Sequence, residues 1–76
     1  MNHKTVRVQV LTVDGGGMDY LEGNYILAKY DKAVHAGLTG RALVNEVISD
    51  DWAAPPRKVT ISFLSNGKPQ EIVIHC

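Results

Sequence analysis

The stretch from Lys58 to Cys76, KVTISFLSNGKPQEIVIHC, decides the fold. Asn66-Gly67 sits between two alternating runs, and a type I′ turn needs two central residues that tolerate positive φ, which makes Asn-Gly a strong hairpin signal. Residues equidistant from the turn then face each other: Ser65 with Lys68, Phe63 with Gln70, Ile61 with Ile72, Val59 with Ile74. Side chains alternate between the faces of a strand, so Val59, Ile61, Phe63, Ile72 and Ile74 share one side. Thr60, Ser62, Glu71, Val73 and His75 share the other. One face is apolar, the other mostly polar, and a lone hairpin is marginal in water, so the apolar face needs a cover.

The cover is expected just upstream. Arg41 to Asp50, RALVNEVISD, reads as a helix, with Leu43, Val44, Val47 and Ile48 spaced to keep one side apolar. Gly37-Leu38-Thr39-Gly40 punctuates before it, with Thr39 placed to cap. Asp50 and Asp51 suit the negative end of a helix dipole badly, so the helix is expected to stop there. Trp52 follows, then Ala53-Ala54-Pro55-Pro56, which cannot continue a helix and delivers the chain to the hairpin.

At the other end, Lys4 to Val13, KTVRVQVLTV, alternates as a half-buried strand should, with Val6, Val8 and Val10 on one face. Asp14 to Asn24, DGGGMDYLEGN, reads as an acidic loop, because three consecutive glycines cost backbone entropy on ordering and bring no side chain to offset it. Tyr25 to His35 has two readings. Residues 25–30 fit a second strand pairing back on the first, whereas Ile26, Tyr30 and Val34 fit a helical stripe; we take the strand.

The chain has 76 residues, 45% hydrophobic and 21% charged, with eight basic against eight acidic side chains. That is one ordinary globular domain over 1–76 with a thin core, and no net field to draw it to nucleic acid or anionic lipid. A single cysteine excludes an internal disulfide. No apolar run is long enough to span a bilayer and Met1 opens no signal segment, so the expectation is a soluble cytoplasmic protein. Small domains of this kind often gain stability by associating, which makes a homodimer the expected state.

The fold expected is therefore α+β: strand, strand, helix, strand, strand, with one helix packed on one face of a sheet of about four strands, mixed or antiparallel. This ββαββ order resembles the β-grasp architecture, which implies that the first and last strands lie side by side in parallel. With 26–36 read as helix instead, helix–Gly37-Leu38-Thr39-Gly40–helix resembles the core of a KH domain, and that resemblance implies nucleic-acid contact through Gly37, Gly40 and Arg41. The loop carries no cation between its glycines, and the final helix of the common arrangement is absent.

Other candidate chemistry is sparse. His3, His35, His75 and Cys76 are metal-ligand types without ligand spacing, and a C-terminal thiol lacks a base to activate it. The acidic loop lacks the regular oxygen spacing of a calcium site. No phosphate loop, zinc-protease motif or nucleophile–base pattern occurs. The expectation is a non-catalytic interaction or regulatory module with no cofactor or metal. Its expected contact residues are Met18, Tyr20 and Leu21 on the glycine loop, and Trp52, which is either a lid on the core or an interface anchor. The protein partner is not specified by these features, and nucleic-acid binding is the alternative.

Overall fold

The computed structural model describes residues 6–48 and 54–76. Six elements follow in order: β1 (Val6–Thr12), β2 (Gly17–Glu22), α1 (Tyr25–His35), α2 (Gly40–Val47), β3 (Pro56–Ser65) and β4 (Lys68–His75). The four strands form one sheet in the order β2-β1-β3-β4. Every neighbouring pair is antiparallel. The fold is α+β, with two helices.

The C-terminal hairpin has the register read from its turn. Ser65 faces Lys68, Phe63 faces Gln70, Ile61 faces Ile72 and Val59 faces Ile74. Asn66 and Gly67 hold φ of 53° and 76°, the conformation that asparagine and glycine tolerate best. Val59 and Ile61 are fully buried and Ile74 nearly so, while Phe63 and Ile72 pack half-buried at the rim of the same core.

The second strand is not at residues 25–30. It is Gly17–Glu22, inside the stretch read as a loop, and it pairs with β1 so that Val10 faces Met18, Val8 faces Tyr20 and Val6 faces Glu22. The free backbone groups along one edge of β1 need partners, and the nearest chain able to turn back supplies them. The glycines make that turn: Gly15 takes φ 88°, the Thr12 amide donates to the Gly16 carbonyl at 2.9 Å, and the Gly16 amide donates to the Asp14 carboxylate at 3.0 Å. The glycines that suggest a loop by their entropy cost are what let the hairpin close.

Residues 25–35 are helix. Ile26 and Ala33 are buried, and Leu27 and Tyr30 pack against the core, so the inward stripe is Ile26, Tyr30, Ala33 and the Val34 position turns out to solvent. The helix ends in a Schellman arrangement: Gly37 takes φ 85°, the Leu38 amide reaches back to the Ala33 carbonyl at 3.1 Å, and the Gly37 amide bonds Val34 at 3.0 Å. Thr39 is the N-cap residue of α2 by its extended backbone, without a side-chain cap bond. Leu43, Val44, Val47 and Ile48 are all buried, as their spacing requires. The helix closes at Val47; Asp50 and Asp51 lie outside the described residues.

Two helices rather than one thus cover the sheet, on the face that carries Val6, Val8, Val10, Val59, Ile61 and Ile74. The sheet order also departs from the β-grasp arrangement: β1 lies against β3, antiparallel, and β4 is an edge strand. Among the described residues, no helix is long and apolar enough to cross a membrane.

Candidate interaction surface

Each strand presents alternate residues away from the helices. On that open face stand Arg7, Gln9 and Leu11 of β1, Asp19 and Leu21 of β2, Lys58, Thr60, Ser62 and Leu64 of β3, and Glu71, Val73 and His75 of β4. Leu11, Leu21, Leu64 and Val73 are all exposed. They are scattered among polar groups rather than joined in one patch, and no Phe, Tyr or Trp ring accompanies them among the described residues of this face. Base stacking therefore has no large platform here. A shallow groove of about 400 Å³ runs over Gln9, Leu11, Gly17, Asp19, Lys58 and Thr60.

The charged feature of this face is the Arg7–Asp19 pair, with Nε 3.0 Å from Oδ1. The hydrogen bond from Arg7 holds the Asp19 carboxyl below its usual range, and Asp19 in return raises the guanidinium. Asp14 is held low as well, first by the Thr12 hydroxyl and then by the Gly16 amide. These bonds tie the β1–β2 turn together.

The outer edge of β4 is the second feature. Among the described residues no strand pairs with it. In an antiparallel ladder, bonded pairs alternate with pairs whose backbone groups point away. A two-residue turn makes Ser65 and Lys68 a bonded pair, and the ladder ends with the Cys76 amide on the Arg57 carbonyl at 3.0 Å, in phase with it. Pro69, Glu71, Val73 and His75 therefore turn their backbone groups outward. Proline, which lacks an N–H, occupies one of those outward positions, as an edge strand requires.

The residues expected to form a contact are distributed over the molecule. Met18 and Tyr20 lie on the helix side of β2, with Tyr20 half-buried against the core, whereas Leu21 projects from the open face. They do not share a surface. Trp52 lies outside the described residues. Gly37, Gly40 and Arg41 do fall together, at the junction of α1 with the start of α2, with Arg41 exposed and both glycines at positive φ. Gly40 sits beside the end of β4, where a Cβ added to it would meet the His75 carbonyl at 3.7 Å.

Cys76 is exposed, and partial burial pushes its thiol up, against a smaller opposing pull from Arg41. A nucleophilic cysteine needs the reverse. No group of three or more His, Cys, Asp or Glu side chains is placed to hold a metal ion among the described residues; His3 is not one of these. The β4 edge was missed in the sequence because its signal, Pro69 followed by outward polar residues, becomes meaningful only once β4 is known to be at the margin of the sheet.

The chain matches no protein-family model, no curated protein and no solved structure.

Proposed function

We propose that this chain is a small, non-catalytic interaction or regulatory module of the cytoplasm, working as a homo-oligomer through a sheet edge. The observation that carries the reading is the β4 edge, whose outward backbone groups at Glu71, Val73 and His75 have no strand beside them among the described residues. Such an edge is a ready template for a further strand, giving main-chain bonds for affinity and side chains for selectivity. Native mass spectrometry of the freshly purified protein, with reductant present, tests the proposal. A dimer without added mass is the expected result; a monomer carrying a small molecule, metal or oligonucleotide overturns it.

A second reading assigns the Gly37–Arg41 loop to single-stranded nucleic acid. What favours it is the helix on either side of Gly37-Leu38-Thr39-Gly40 and the exposed cation that follows. Against it stands the use of Gly37 as an ordinary helix stop, together with a net charge of zero, since phosphate contacts supply most of the affinity for nucleic acid. Oligonucleotide binding that falls steeply with salt and disappears in Arg41→Ala would establish this reading in place of the first.

A further inference from the structure

We propose that the strand completing the β4 edge is β4 of a second copy of this chain, paired antiparallel about a two-fold axis at Val73. The inference rests on the module reading above and names its partner and register.

Only certain registers join two antiparallel edges, and the side chains of β4 separate them. Centring on Glu71 puts two carboxylates opposite each other, which is destabilising. Centring on Ile72 sets Glu71 against Val73 and Pro69 against His75, where proline has no N–H to donate. Centring on Ile74 carries Glu71 past His75. Centring on Val73 places Glu71 opposite His75 of the second copy and, by symmetry, His75 opposite Glu71 of the second copy, with the two valines between them.

All three of these residues already turn their backbone groups outward, so the register makes bonded pairs throughout. Their side chains stand on the open face, where each imidazole N–H donates to a carboxylate. Lys58 lies next to His75 on the same face and adds positive charge opposite the incoming Glu71. On the helix side the same register sets Ile72 beside Ile74 of the second copy, extending the apolar layer across the junction. Ile72 is half-buried and Ile74 buried within one chain, so the junction removes more of Ile72 from water. Gly40 of α2 lies beside the His75 carbonyl, where a Cβ added to it would stand 3.7 Å away.

The other edge does not offer this complementarity. The Thr12–Gly16 bond sets the phase of the β1–β2 ladder so that Gly17, Asp19 and Leu21 point their backbone groups outward. A two-fold pairing there centred on Asp19 faces carboxylate with carboxylate. Asp19 is also committed to Arg7.

The test is a charge exchange followed by sedimentation velocity in reductant, with far-UV circular dichroism confirming that each variant is folded. Glu71→Lys alone and His75→Glu alone each place like charges or lost acceptors across the axis twice, and each should weaken self-association about fivefold or more. An equimolar mixture of the two pairs Lys with Glu at one site and retains Glu with His at the other. It should form a mixed dimer of near wild-type strength. In a Cys76→Ser background, Val73→Cys should oxidise to a cross-linked dimer, because bonded pairs place Cα atoms about 5.5 Å apart, within disulfide range. Cross-linking through Glu71→Cys instead of Val73→Cys overturns the register. A wild-type dimer that neither charge variant weakens overturns the β4–β4 pairing and leaves only the homo-oligomeric part of the module reading, without its β4 edge. A wild-type protein that stays monomeric at every concentration overturns both.

Discussion

Arg7 and Asp19 meet on a diagonal. In the β1–β2 ladder Arg7 faces Leu21 and Asp19 faces Gln9, yet the guanidinium crosses one position to reach Asp19, with Nε 3.0 Å from Oδ1. Diagonal neighbours on one face of a strand pair lie within reach of a long side chain, so this contact reports that the hairpin has formed in register.

The pair has a pH signature. Asp19 is depressed in the folded state, chiefly by the Arg7 hydrogen bond. Such a group contributes stability above its unfolded pKa, and that contribution is lost as pH falls through the lower folded value. Asp19→Asn should therefore lower stability at neutral pH and flatten the acid side of the stability–pH curve, measured by thermal melts from neutral to strongly acidic buffer. Both partners are exposed, so the effect should be small and should shrink further in high salt. Some acid dependence should persist through Asp14, which is depressed for a different reason, the Thr12 hydroxyl. A variant whose acid limb is as steep as the wild type's would dismiss the pair as a contributor.

Gly17 is the tight point of the β1–β2 hairpin. A Cβ there would sit 2.6 Å from the Val10 carbonyl oxygen, a backbone atom that cannot swing aside. Gly17→Ala should push β2 away from β1 and release the amides of β2 to solvent while β3 and β4 stay protected. Hydrogen exchange resolved by residue measures this directly; uniform protection across both hairpins would contradict it.

Gly37 is required by conformation alone. It holds φ 85°, and a Cβ at that position would meet nothing within 4 Å. Gly37→Ala should cost about 1 kcal/mol, the left-handed penalty of an L side chain, seen as a lower denaturation midpoint at unchanged slope. If the substitution left stability unaltered, the Schellman stop would not be what the glycine supplies.

Among the described residues Ile61 is the largest fully buried side chain, and it lies in β3, one of the two central strands. Ile61→Ala should cost about 2–5 kcal/mol, from lost transfer energy plus the cavity left behind. In a domain this small that is a large share of total stability, and the variant should be substantially unfolded at room temperature. Val73→Ala, on the open face, should change monomer stability by less than about 0.5 kcal/mol. Chemical denaturation of the two side by side separates core from surface, and similar losses would refute the assignment of faces.

What the sequence alone determined was the local geometry. Asn66-Gly67 and the alternating runs beside it dictate the hairpin register, because two-residue turns and a side-chain period of two leave no freedom in which residues face each other. The Leu43, Val44, Val47, Ile48 stripe and the Val6, Val8, Val10 stripe likewise announce their buried faces. What tertiary structure decided was everything between them. Tyr25 to His35 has apolar residues that satisfy both a strand and a helix over a few positions, and the choice fell to helix once Gly17–Glu22 had taken the open side of β1. With that edge filled, the following segment had a sheet face to cover and no free backbone ladder on β1 to join. The same non-local choice placed β3 against β1 and left β4 at the margin, so a strand whose register is plain in sequence becomes a candidate interface only through its position in the sheet.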